Sequence, residues 1–188
     1  MRPFVEKEIL RLEFLECILL DVSSKLSELR DQLAAAIAGM AADDLARHPE
    51  GKWSSAEILD HLNLTYRGTI KNCERCLAMG KSGASPDRRA KRWQRRGILW
   101  LGFFPPGRKS PERVLPRGTP VAQLSTEVFE NIARMESIIA ECDTRFGKGK
   151  SIADHPILGP LTASEWRKFH WVHGRHHARQ IIRLKNAR

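Results

Sequence analysis

The stretch Trp53-Ser54-Ser55-Ala56-Glu57-Ile58-Leu59-Asp60-His61-Leu62 reads as the start of a buried helix. Ser54 and Glu57 have the spacing of a capping box, in which each side chain accepts from a backbone N–H at the other's position. Trp53 before the cap and Ile58 inside the first turns form a hydrophobic staple. The pattern predicts a helix to about Met79, terminated by Gly80. His61 then falls on the same face as Ile58, Leu62 and Thr65, which is the buried side.

The device recurs near the other end. Thr162 and Glu165 form a second capping box, with Leu161 and Trp166 placed for a staple. The helix they open presents Trp166, His170, His173, His177, Ile181 and Leu184 on its inner face, so histidine stands where neighbouring turns carry Trp, Ile and Leu. In His173-Gly174-Arg175-His176-His177, His173 and His177 are one turn apart and can reach one ion. His61 would approach from an antiparallel helix, and bundle cores hold such ligands rigidly. An unpaired buried imidazole costs about 1–3 kcal/mol, so a bland alternative has these rings hydrogen-bonded to carbonyls or water. His176 should point away from His173, to the rim or behind the ligands. His170 lies near the stripe and competes as a ligand. His48 and His155 read as solvated loop residues.

The remaining chain also reads as helix. Leu12, Leu15, Leu19, Val22, Leu26, Leu29, Leu33 and Ile37 recur at spacings of three and four, as one long helix or as two broken near Asp21-Val22-Ser23-Ser24. His48 to Lys52 is a loop. A further helix starts with Thr119 as cap and Pro120 in the first turn, carries Val121, Leu124, Val128, Ile132, Met135 and Ile139, and is broken by Gly147 to Lys150. The length of 188 residues suits one domain over 1–188 with its core at about 24–188. No apolar run approaches a membrane span. The charged start, Met1 to Glu8, does not read as a signal peptide, so a cytoplasmic location is expected. Cys73 and Cys76 form a C-x-x-C inside a helical run with no second pair, which reads as reduced thiols rather than a zinc ribbon.

The net charge of +10 is uneven. Lys81 to Arg117 holds eleven basic residues against Asp87 and Glu112. Pro86-Asp87 can open a short basic helix through about Phe103, after which Pro111, Pro116 and Gly118 predict an irregular crossing connection. Its functions divide three ways. It can cover the site as a lid and bind an acidic thiol. It can bind nucleic acid or a membrane surface through Arg88 to Arg96 with Trp93, Trp100, Phe103 and Phe104. It can equally be a solvated or dimer-contacting segment.

Trp53-Ser54-x-x-Glu57-Ile58-x-x-His61-Leu62, followed by His173-x-x-His176-His177-x-x-Gln180-Ile181, resembles the DinB/YfiT-like superfamily. The segment His155-Pro156-Ile157-Leu158-Gly159-Pro160-Leu161-Thr162 before Trp166 and Phe169-His170 is similar to a DinB-like subgroup. The resemblance implies an all-α fold, a DinB/YfiT-like four-helix bundle in up–up–down–down order, here with an extra N-terminal helical segment and a long basic crossing connection. It implies a divalent metal, zinc or nickel, on His61, His173 and His177, with His170 and His176 behind the ligands or as alternatives. Family members include thiol-dependent S-transferases and isomerases that use low-molecular-weight thiols such as bacillithiol, mycothiol or glutathione. The expected function is accordingly thiol transfer to a small-molecule substrate, with Arg175 and Arg179 available for a substrate carboxylate. The alternatives are a metal-dependent hydrolase, or a metal-binding or nucleic-acid-binding bundle without catalysis; a homodimer fits any of them.

Overall fold

The structure, a computed structural model, describes residues 25–86, 92–102 and 110–187. Helix α1 covers 25–37 and is followed by the short α2 (Ala42–Ala46), α3 (Ser55–Ala78) and α4 (Arg92–Leu101). A 3-10 turn at Glu112–Val114 precedes α5 (Val121–Phe146), and a hairpin of β1 (Ser151–His155) and β2 (Gly159–Thr162) leads into α6 (Ala163–Asn186). The extra N-terminal segment, with Leu12, Leu15, Leu19 and Val22, lies outside the described residues.

Both capping boxes form in full: Ser54 with Glu57 opens α3, and Thr162 with Glu165 opens α6. Helix α3 ends at Ala78, two residues before the left-handed Gly80 (φ 65°), and α5 ends at Gly147 (φ 96°). Helices α1, α3, α5 and α6 pack as a four-helix bundle, with Leu29, Leu62, Val128 and Ile181 fully enclosed in its core.

Side-chain pairings give the helix directions. His61 meets His173 while Thr69 meets His170, so α3 and α6 run antiparallel. Asn63 pairs with Glu127 and Asn131, and Cys73 with Cys142, so α3 and α5 run parallel. Glu28 accepts from Trp171 and Ala38 accepts from Lys185, so α1 and α6 run parallel. The order is therefore up–down–down–up, not the up–up–down–down order implied by the resemblance. The physical reason is the connection between α3 and α5. Two consecutive parallel helices need a return along the bundle, and the 24 residues of α3 span about 36 Å. The segment from 79 to 120 makes that return.

That segment has more structure than its prolines and glycines suggest. Gly83 forms a parallel bridge with Ala153, its N–H donating to the Ile152 carbonyl at 3.0 Å. Helix α4 buries Ile98, Leu99 and the Arg95 side chain, which pairs with Glu165 at 3.5 Å. The expected α4 is thus present, but Arg95 is not part of an exposed basic face. Trp93 is 75% exposed with the Arg96 guanidinium 5.9 Å from its ring. Arg88, Arg89, Lys91, the Trp100 side chain, Phe103 and Phe104 lie outside what the structure describes.

Two further expectations are corrected. Residues 151–162 form an antiparallel hairpin where only helix and loop were anticipated, in register His155↔Gly159 to Ser151↔Thr162. Its strands of five and four residues carry almost no apolar–polar alternation, because β2 is buried on both faces. Thr119 does not cap α5: Pro120 occupies the cap position, and the Thr119 hydroxyl donates to Asp60 instead. Among the described residues, no helix is long and apolar enough to cross a membrane.

Candidate metal centre

Helix α3 delivers His61 from its second turn, and α6 delivers His173 and His177 from successive turns of its inner face. All three rings are buried. Their Nε2 atoms converge: His61 to His173 at 3.2 Å and His173 to His177 at 3.1 Å. The three residues form a group able to hold a metal ion. Nitrogens sharing one tetrahedral ion with bonds near 2.05 Å lie about 3.3 Å apart, so this spacing needs little adjustment.

Hydrogen bonds on the far sides of the rings define their protonation. His61 Nδ1–H donates to the Val114 carbonyl at 2.7 Å, and His177 Nδ1–H donates to Gln180 Oε1 at 2.7 Å. Each proton placed on Nδ1 leaves a lone pair on Nε2, aimed into the cluster. Burial holds the His61 ring below its ordinary pKa, partly opposed by the Val114 bond and the Asp60 charge. Burial, then His61 and His176, push His177 down to about 3. His173 is lowered well below its usual value by burial and by the surrounding histidines. The rings are therefore neutral, and the His173 Nε2 can carry at most one proton between two lone pairs. One of the two short contacts is then lone pair against lone pair, which a cation relieves. The donor set fits a transition metal: three neutral imidazoles, with accepting groups behind His61 and His177.

The other histidines separate clearly. His170 does not join the cluster. It is fully buried, contacts the Thr69 hydroxyl at 3.0 Å and stacks on Trp166. Burial, then the neighbouring His155, lowers its pKa to about 3. His176 is half-buried, its ring 5.2 Å from that of His177. His48 is exposed and reaches Glu57 at 3.1 Å. His155, expected in solvent, is instead buried at the end of β1, where its Nδ1 accepts the Ile157 and Leu158 N–H groups at 3.2 Å each. Its ring closes on Phe169 at 4.3 Å, a tertiary contact absent from any local pattern.

Neighbouring carboxylates are engaged elsewhere. Glu57 completes the α3 cap. Asp60, adjacent to His61, accepts from Arg117 N–H, Thr119 N–H and the Thr119 hydroxyl. Asn63 turns to α5, bonding Glu127 and Asn131 rather than the histidines. Arg175 lies over the Trp171 ring at 4.1 Å, and Arg179 is exposed. Cys73, Cys76 and Cys142 are buried free thiols apart from the histidine group. Sequence reasoning gave no role to Val114 or Gln180. Gln180 had a usable signal, three residues after a candidate ligand on the same helix. Val114 acts through its backbone carbonyl, for which no residue type is diagnostic.

A helical bundle closed around three facing imidazoles is compatible with a metal-binding protein. Comparison with known families matches residues 25–181 to the DinB superfamily, and the chain belongs to that superfamily. No curated protein and no solved structure matches it.

Proposed function

We propose that the chain is a metal-dependent enzyme that transfers a low-molecular-weight thiol to a small electrophile in the cytoplasm, with zinc or nickel on His61, His173 and His177. The observation carrying the metal reading is the meeting of three buried Nε2 atoms at 3.1 and 3.2 Å, two of them with their lone pairs turned inward. Bound there, a divalent ion keeps its charge undiminished by neutral ligands and so favours thiolate over thiol near neutral pH.

The chain's own residues orient and enclose. Trp53 lies 5.1 Å from the His61 ring and Phe169 stacks on His173 at 5.5 Å, so aromatic surface flanks the ligands and limits water. Arg179, exposed two residues beyond His177, is the better candidate for a substrate carboxylate, because Arg175 is engaged on Trp171. Transfer is preferred to hydrolysis because Glu57 and Asp60, the carboxylates nearest His61 in sequence, are both occupied by structural hydrogen bonds.

Elemental analysis of untagged protein tests the site. One divalent ion per chain is expected in the wild type and strong loss in His61→Ala and His177→Ala; stoichiometric metal in both variants would overturn the ligand set. Loss of free thiol in the presence of an activated aryl halide tests the reaction. A metal-loaded protein inert with all the low-molecular-weight thiols named above removes the transferase and leaves the metal site standing.

A further inference from the structure

Asp60 is almost completely buried, yet it faces away from the histidine cluster toward the connection that precedes α5. Its Oδ2 accepts the Arg117 N–H at 2.6 Å and the Thr119 N–H at 3.3 Å, and its Oδ1 accepts the Thr119 hydroxyl at 2.9 Å. Three donors from two residues converge on one carboxylate, and hydrogen bonds to a charged acceptor are the strong ones. Just upstream, the 3-10 turn Glu112–Val114 ends at the carbonyl that His61 Nδ1–H meets at 2.7 Å. Two adjacent α3 residues thus grip one loop at two points, Asp60 holding 117–119 and His61 bonding 114. The loop has no comparable apolar anchor: Arg113, Leu115 and Arg117 are exposed, and Val114 is only partly covered.

We propose that Asp60 is a positioning residue for the metal centre: by clamping Arg117 and Thr119 it holds the Val114 carbonyl against His61 Nδ1 and keeps the His61 Nε2 lone pair directed at the ion. It acts through the connection, not by touching the ion. Coupling between two sites is reciprocal, so the bound ion also steadies the loop through His61. The inference rests on the three-histidine reading for its metal arm, while its ring-tautomer arm stands without any ion.

Asp60→Ala removes all three acceptor contacts, and Thr119→Val removes only the hydroxyl bond, leaving the carboxylate charge and the fold's main restraints in place. In metal-free wild-type protein, 15N shifts of the His61 ring should report a proton on Nδ1. Both variants should shift it toward a mixture of tautomers, Asp60→Ala further. Amide hydrogen exchange across residues 114–119 should accelerate in the same order. With zinc, chelator competition should show affinity reduced roughly 10–100-fold in Asp60→Ala and by a smaller factor in Thr119→Val, the usual cost of losing support behind a ligand. Zinc should also slow exchange of the loop amides in the wild type. Should Asp60→Ala fail to fold, Thr119→Val carries the same three readouts. An unchanged His61 tautomer with faster loop exchange overturns the proposal, as does weakened zinc binding with unchanged loop exchange, which would assign the effect to the carboxylate charge alone. A wild type that binds no zinc but shows the tautomer change removes the metal reading and keeps the clamp.

Discussion

Three imidazoles that share at most one inward proton make a poor hydrogen-bonded cluster and a good ligand set, and the groups behind them decide which they are. Gln180 holds the His177 proton on the outer nitrogen. Gln180→Leu should therefore weaken zinc binding by roughly tenfold or more in chelator competition, with the helical signal of the apoprotein unchanged; undiminished affinity would show that His177 orients without it. The histidine pair was readable because α6 is a long, regular helix, so a 3.6-residue period places His173 and His177 on one stripe with Trp166 and Ile181. His155 was misread because its burial depends on Phe169 and Trp166, which reach it only after the hairpin folds back.

Between elements, one close approach stands out. Gly174 lies in the middle of α6 against α1, where an added Cβ would come within 3.0 Å of Leu29 Cγ and closer still to both its methyls. Glycine inside a helix costs about 1 kcal/mol relative to alanine, and here it permits α1 to seat on α6. Gly174→Ala should destabilise the protein by about 1–3 kcal/mol despite its better helix propensity, read as a lower urea midpoint. Adding Leu29→Ala should cost less in that background than in the wild type, because the two changes share one space. Helix starts were readable at this level wherever the signal is local, as at Ser54-Glu57 and Thr162-Glu165. At Thr119 the same kind of signal failed, since a buried carboxylate offered its hydroxyl a stronger partner than the helix end.

Across the whole molecule, burying neutral histidines ties stability to pH. His170 in the folded chain titrates at about 3, against about 6.5 when unfolded. Between those values the unfolded chain binds a proton that the folded chain refuses, so stability is greatest above pH 6.5 and falls as pH drops toward 3. At full effect the slope is about 1.4 kcal/mol per pH unit for each such ring. His61, His173 and His177 act in the same direction in the apoprotein. Thermal unfolding of apoprotein should show a clearly lower Tm at pH 5 than at pH 7, and His170→Phe should narrow that gap by about one proton's worth of slope. An equal gap in both proteins would mean that His170 is protonated in the folded state.

By itself the amino-acid sequence determined the helical class, the caps of α3 and α6, the face carrying His61, and the pair His173 and His177, because each follows from spacing within one element. Only the tertiary structure decided the up–down–down–up order, the hairpin before α6, the burial of His155 and Arg95, and the hydrogen bonds of Val114 to His61 and of Asp60 to Arg117 and Thr119. Those features join residues far apart in the chain, often through backbone atoms common to every residue type. Periodicity records which side of a helix is buried, but the identity of what lies across from it is settled by packing.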